Sequence, residues 1–173
     1  MNYFNQESER LRYRKLTKED IPRWTEFFYG NDRLHFLGID VTRTPADLAS
    51  DWINMQFQRY EEQGLGHLAI TEKKSGQLIG LGGILPRDLE GKAEFEIAYS
   101  LLPEFWGKGY ATEHARLMKQ FGIQNNIAKR FISIIHKDNH PSIKVAKKNE
   151  MSVLFETTYL DMPVYVYGYT TIP

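Results

Sequence analysis

The sequence predicts an α/β (α+β) fold: a single mixed, mostly antiparallel sheet with a central parallel strand pair and helices on both faces. Three observations carry this. The stretches Lys73-Lys74-Ser75-Gly76 and Leu160-Asp161-Met162-Pro163 each separate two runs of strand composition, the mark of antiparallel hairpins. Between them lie a strand-like run (Ala93 to Leu101), a helical pattern (Ala111 to Phe121, extending to about Gln124) and a second strand-like run (Arg130 to Ile135). Such a strand–helix–strand unit makes its two strands parallel. Finally, 173 residues with 42% apolar content and no repeat, linker or low-complexity tract suffice for one domain with a substantial core.

In chain order, the alternation of Leu11, Tyr13 and Lys15 with Arg12, Arg14 and Leu16 predicts a first strand. Thr17-Lys18-Glu19-Asp20 reads as a helix start, with Thr17 as cap, Asp20 in the first turn and Pro22 tolerated early. Ile21, Trp24, Phe27 and Phe28 follow at helical spacing and are expected in the core. Residues 29–43 are irregular, broken by Gly30, Asn31 and Gly38. Thr44-Pro45-Ala46-Asp47 starts a second helix with proline at its first position. Leu48, Trp52, Met55 and Arg59 line one face of it, and Gly64 and Gly66 end it. Strands are predicted at 67–72 and 77–85, with Pro86 to Gly91 as the link to the next one. Asp138-Asn139-His140-Pro141-Ser142 opens another helix, and runs 151–159 and 164–169 close the chain as a hairpin.

Composition narrows the function classes. Lys plus Arg equals Asp plus Glu at 22 each, which argues against nucleic acid as a partner, since a phosphate backbone calls for concentrated positive charge. With no cysteine there is no disulfide, thiolate metal site or cysteine nucleophile. Met1 to Glu7 lacks the basic and apolar regions of a secretory signal, and no apolar run approaches membrane-spanning length. A cytoplasmic location, with no membrane partner, is the resulting expectation. His136 and His140 stand four apart, but Pro141 and the strand-to-loop context spoil helical spacing and no acidic cluster joins them, so no metal site is expected. Tyr165, Tyr167 and Tyr169 share one strand face and read as sheet packing rather than as a base-stacking platform.

The most informative stretch is Phe105-Trp106-Gly107-Lys108-Gly109-Tyr110-Ala111-Thr112-Glu113, where a strand runs through a glycine turn straight into a helix. A helix start leaves backbone N–H groups unpaired at its positive end, which suits a phosphate. Gly107 and Gly109 remove the Cβ atoms that would keep an anion off the backbone, and Lys108 adds a mobile positive charge. A P-loop would need Ser or Thr after the lysine, where Gly109 stands. Gly80-Leu81-Gly82-Gly83 only faintly evokes a dinucleotide loop, because Leu85 and Pro86 follow where a third glycine and a helix belong.

Residues 93–155 resemble the core of the GNAT superfamily of acetyl-CoA-dependent N-acetyltransferases, in the branch of the ribosomal-protein N-terminal acetyltransferases (RimJ/RimL-like). The resemblance rests on Glu96-Ile97-Ala98-Tyr99-Ser100-Leu101-Leu102-Pro103, then Phe105 to Glu113, and further on Asn139, Ser142, Lys148, Glu150 and Met151. It implies that residues 1–173 form a single acetyltransferase domain using acetyl-CoA, with coenzyme A as product. An amine acceptor, either a protein N-terminus or a small molecule, and a monomeric or homodimeric state belong to the same expectation. It further implies that backbone N–H groups from Gly107 through Lys108, Gly109, Tyr110 and Ala111 to Thr112 hold the pyrophosphate, with Trp106 at the motif's first position. The strand Tyr99 to Leu102, with Leu101 and Leu102 at its end, is implied to pair with the pantetheine arm and polarise the thioester carbonyl. Asn139 and Ser142 are implied to contact the lower pantetheine arm, and Lys108 and Lys144 the phosphate oxygens. Two departures stand out: Glu150-Met151 replaces the usual Gly-Phe, so the helix is expected to end through Asn149 or without a left-handed glycine cap. Ala146 replaces a tyrosine that protonates the departing thiolate in many members.

A lysine-like amine is protonated near neutrality, so making it nucleophilic costs on the order of 4 kcal/mol unless a base takes the proton. Glu96, on the strand beside the thioester, is the candidate; its alternative role is a salt-bridged strand residue, and Glu94 is second in line. Ser142 is the candidate to donate a hydrogen bond to the thiolate, or else a first-turn residue that touches the cofactor without moving a proton. Tyr99 alternates away from Glu96 and reads as packing. With no cysteine for a covalent relay, direct attack in a ternary complex is the expected course. Residues 29–43 and the turn 156–163 are implied to wall the acceptor side. Asp32, Asp40, Glu156 and Asp161 are there either to draw in a cationic amine or as solvated loop charges. The missing tyrosine and altered Gly-Phe leave one alternative, a non-catalytic acyl-CoA-binding module of the same fold.

Overall fold

Residues 2–170 are described here from a computed structural model. Seven strands form one sheet in the order β1-β2-β3-β4-β5-β7-β6: β1 (Leu11–Arg14), β2 (Gly66–Glu72), β3 (Leu78–Leu89), β4 (Lys92–Leu101), β5 (Arg130–His136), β6 (Ser152–Tyr159) and β7 (Met162–Thr170). Every pairing is antiparallel except that of β4 with β5.

Four α-helices complete the fold: α1 (Ile21–Thr25), α2 (Pro45–Gln63), α3 (Tyr110–Gln124) and α4 (His140–Lys148). The α1 region is one short helical run, because 3-10 turns at Lys18–Asp20 and Glu26–Phe28 extend it at both ends. Its aromatics form a core as predicted: Trp24 is fully buried, stacks on Phe27 at 4.3 Å and meets Trp52 of α2 edge-on. Helix α2 is capped as its sequence suggests, Thr44 Oγ1 accepting from the Asp47 N–H and Gly64 ending it in the left-handed region. It covers one sheet face, where Trp52 Nε1 donates to His67 Nδ1 at 2.9 Å. Helix α3 covers the opposite face.

The run Gly80 to Gly83, which faintly evoked a dinucleotide loop, is the close-packed middle of β3. A Cβ on Gly82 would lie 2.6 Å from His114 Nε2 of α3, and one on Gly83 would lie 2.4 Å from the Tyr3 hydroxyl. That hydroxyl donates to the Gly66 carbonyl and accepts from the Ile84 N–H, tying the N-terminal segment to β2 and β3. The sequence ended this strand near Leu85; it runs through Pro86 to Leu89. Proline fits because β2 stops at Gly66 opposite Ile84, so the edge that would need the missing N–H has no neighbour there.

The parallel pair is short, and this creates the site. Strands β4 and β5 share one register pair, Glu96 opposite Ile132. The Ser133 hydroxyl then takes the Ile97 carbonyl at 3.0 Å, and beyond this the strands part. Since the Ile97 carbonyl points toward β5, the two-residue strand period aims the main-chain groups of Tyr99 and Leu101 into the gap.

Candidate active site

At the end of β4 a 3-10 turn (Pro103–Phe105) leads into the glycine loop, with Gly107 at φ 72° and Gly109 at φ 81°, left-handed values that glycine adopts without strain. The first main-chain bond of α3 runs from the Glu113 N–H to the Gly109 carbonyl. Among the described residues, no protein acceptor takes the N–H groups from Gly107 to Thr112. A Cβ on Gly107 would meet nothing within 4 Å, so the cradle is open. Six amides at a helix N-terminus around such a space are a ready anion site.

The loop is clamped from behind. Glu113 accepts from the Ser8 hydroxyl (2.7 Å), the Arg10 main-chain N–H (2.8 Å) and Arg10 Nε (2.7 Å). Arg10 also donates to the Lys108 carbonyl at 2.9 Å, and its guanidinium covers the Tyr110 ring, whose hydroxyl bonds Glu72. Burial alone would raise the Glu113 carboxyl, but the Arg10 N–H, the Ser8 hydroxyl and the Arg10 guanidinium hold it below the usual range. Trp106 donates to the Leu101 carbonyl at 2.8 Å, while Arg33 lies over its indole at 3.7 Å and links the loop to residues 29–43.

The predicted cofactor residues mostly converge. Leu101, Trp106, Gly107, Gly109, Tyr110, Ala111, Thr112, Asn139, Ser142 and Lys144 line one cavity of about 280 Å³. Two do not join them. Leu102 is buried in the core and its N–H is taken by the Ile79 carbonyl, while Lys108 lies over the Phe105 ring, away from the lining. Lys148, one helical turn beyond Lys144, supplies the second lysine of this wall. Asn139 caps α4 by accepting from the Ser142 N–H. As expected, α4 ends through Asn149, which is its C-cap and not a left-handed glycine; the left-handed residue is the next one, Glu150 at φ 63°, with the Met151 N–H reaching the Ala146 carbonyl and Lys119 bonding both the Asn149 carbonyl and the Glu150 carboxylate.

A second cavity of about 450 Å³ lies on the other side of the split between β4 and β5. Tyr99, Ser100, Asn139 and Ser142 border both spaces, so the two cavities adjoin along the end of β4. Tyr99 packs against the core as read, with its ring 6.0 Å from that of His114, and it also borders both cavities. Burial pushes its hydroxyl up to about 12 while a hydrogen bond with Ser142 opposes the shift. Glu96 is on the second wall, nearly buried, with Oε2 bound by Arg87 Nε at 2.7 Å and no donor on Oε1 among the described residues. Glu94 sits farther down β4 in an ion pair with Arg130 and is not part of that wall.

Both implied acceptor loops wall this cavity, through Phe36, Leu37 and Ile39 on one side and Tyr159, Leu160 and Met162 on the other. They touch at Gly38, where a Cβ would lie 2.8 Å from that of Leu160. Of the four loop acids, only Asp40 reaches the lining; Glu156 pairs with Lys137. Sequence reasoning missed that the cavity is rich in arginine: Arg43, Arg59 and Arg87 all line it. The signal was present in part, because the α2 face Leu48, Trp52, Met55 and Arg59 is the face turned to the cavity. His136 also lines it, with Nδ1 accepting from the Asp138 N–H, while His140 is exposed at the start of α4. No group of three or more His, Cys, Asp or Glu is placed to hold a metal among the described residues.

The profile of the acetyltransferase (GNAT) domain matches residues 10–152. The chain belongs to the GNAT acetyltransferase family. It is 29% identical over 139 residues to the uncharacterized N-acetyltransferase p20 of Bacillus licheniformis, covering 80% of this chain and 76% of that protein. In three dimensions it is similar to an acetyltransferase from Agrobacterium tumefaciens (TM-score 0.79, 22% identity, 96% of this chain and 94% of that one). It is likewise similar to the ribosomal L7/L12 α-N-protein acetyltransferase RimL, solved in complex with coenzyme A (TM-score 0.75, 17% identity, 94% and 95%). This GNAT protein is therefore an acetyltransferase, and its split β4–β5 edge is where the family chemistry is to be sought. No helix among the described residues is long and apolar enough to cross a membrane.

Proposed function

We propose that this GNAT acetyltransferase is an acetyl-CoA-dependent N-acetyltransferase that acetylates a primary amine by direct attack in a ternary complex, in the manner of the RimJ/RimL-like branch. The observation that carries this is the pair of adjoining cavities: an open amide cradle at one end, an acceptor-sized cavity at the other, and the Tyr99 strand edge between them. Acetyl-CoA supplies the activated thioester. The amides of Gly107 to Thr112 hold its diphosphate, and Lys144 and Lys148 face phosphate oxygens. The Tyr99 N–H, directed into the gap, polarises the carbonyl. Glu96 receives the amine proton through its free Oε1, directly or by one water. Ser142, backed by Tyr99, donates a hydrogen bond to the leaving sulfur, at the step served in other members by the tyrosine that Ala146 replaces.

Thiol release from acetyl-CoA over a panel of primary amines tests this reading. Release should require an amine, fall about 100-fold in Glu96→Gln as general-base loss typically does, and disappear at ordinary cofactor concentrations in Gly109→Glu. Tight acetyl-CoA binding with no turnover on any amine would instead identify an acyl-CoA-binding module. Unchanged cofactor affinity in Gly109→Glu would mean that the diphosphate is held elsewhere.

A further inference from the structure

The acceptor cavity is lined by three arginines and three carboxylates (Asp40, Asp51 and Glu96), so its charges balance in number but not in pairing. Arg43 is neutralised by Asp51 at 2.6 Å, and Arg87 by Glu96 at 2.7 Å. Asp40 is occupied by the Thr42 N–H and hydroxyl near the exposed mouth. Arg59 alone has no carboxylate within ion-pair distance among the described residues. Its only polar contact is Gln56 Oε1 at a long 3.4 Å, an oxygen already taken by the His67 N–H at 2.9 Å.

The position of Arg59 makes this unusual. It is half-buried on the cavity wall beside the apolar surface of Trp52 and Met55, where a surface arginine would have turned to water. Burial and the neighbouring Arg87 both push its proton affinity down, with Glu96 and Tyr159 opposing. An unpaired guanidinium with most of its donors open, in partly apolar surroundings, is a preformed seat for an anion.

We propose that the acceptor is a small amine that also carries a carboxylate, an amino acid with an apolar side chain, whose carboxylate binds Arg59 while its amine faces Glu96. The inference rests on the N-acetyltransferase reading and names its substrate class. Each part of such a molecule has a counterpart: the carboxylate meets the fork of Arg59, the ammonium meets Oε1 of Glu96, and the apolar body meets Trp52, Met55 and Phe36. One guanidinium without an ion-pair partner, in a lining whose charges otherwise balance, matches a monoanion rather than a phosphate dianion. The cavity, about 450 Å³ and bordered by the two loops that meet at Gly38 and Leu160, is sized for a small molecule.

Matched acceptors test it on the full-length enzyme with saturating acetyl-CoA: phenylalanine, phenethylamine, O-phosphoethanolamine and a short peptide with a free N-terminus. Phenylalanine should exceed phenethylamine in kcat/KM by about 10- to 100-fold, the range expected of a charge-assisted bidentate contact. In Arg59→Met that ratio should fall to near one, and Arg59→Lys should restore part of it, which separates loss of the charge from misfolding. A wild-type preference for phenethylamine, for the phosphorylated amine or for the peptide would overturn the carboxylate assignment while leaving N-acetyl transfer standing. So would a ratio that survives Arg59→Met. Absence of thiol release with every amine would overturn both.

Discussion

Removing the Glu113 carboxylate should weaken the fold and the cofactor cradle together. Its side chain is 15% exposed and accepts three hydrogen bonds from the N-terminal segment. A hydrogen bond to a charged group contributes about 1.5–3 kcal/mol, so three would sum to far more than is realistic for one residue. The Arg10 side chain is 41% exposed, which reduces its ion pair to about 1 kcal/mol at most. The Ser8 and Arg10 N–H bonds are better shielded and contribute about 1 kcal/mol each. Glu113→Ala should therefore cost about 3 kcal/mol, a fall in Tm of roughly 6–12 °C for a domain of this size. The same change frees Arg10 from its anchor, and with it the Lys108 carbonyl that sets the loop. Coenzyme A affinity should drop about tenfold, equivalent to 1.4 kcal/mol. Urea denaturation gives the first number and titration calorimetry with coenzyme A the second. A stability change below about 0.5 kcal/mol would refute the clamp. Lost stability with unchanged affinity would show that the amides hold their shape without it.

Two further outcomes are expected. Glu150 adopts a left-handed conformation that costs a non-glycine residue about 1–2 kcal/mol, and its ion pair with Lys119 is exposed on the Glu150 side. Glu150→Gly should thus stabilise the protein by about 0.5–1 kcal/mol after the added unfolded-state entropy, read as a higher urea midpoint; a lower midpoint would mean that the Lys119 contact dominates. His114 is buried between β3 and α3, and burial lowers its imidazole to about 4, with the Ala98 carbonyl opposing. Between that value and 6.5 the unfolded chain binds the proton and the folded one does not. Stability from this residue is therefore complete above pH 6.5 and is lost as pH falls toward 4, by about 3 kcal/mol. Denaturation midpoints across pH 4–7 should show that slope, and His114→Asn should flatten it, leaving the part due to buried His67, which burial also lowers.

Where local backbone chemistry decides, the sequence was readable. Thr44-Pro45, Gly64 and Asn139 set helix ends through interactions spanning three or four residues, so their roles in the structure match their reading. The glycine loop is the same case: Gly107 and Gly109 ahead of a helical run specify an open amide cluster wherever that segment packs. The left-handed end of α4 escaped because Glu150 carries no glycine signal; Lys119, from another helix, supports it. Pro86 misled for a similar reason, since only the early end of β2 makes a proline harmless inside β3.

The amino-acid order alone thus determined a single mixed sheet, an anion cradle at the start of α3 and two loops on the acceptor side. Tertiary structure decided which charges face one another. Arg59 from α2, Arg87 from β3 and Glu96 from β4 meet only because the helix lies across the sheet and Leu85 falls opposite Glu96 in the β3–β4 register. The same register, with the Ser133 hydroxyl on the Ile97 carbonyl, fixes where β4 and β5 part and sets Tyr99, packed against the core, at the border of both cavities. Conformational preferences act over a few residues and are written locally. Electrostatic partners are set by distance in space, which the chain order does not contain.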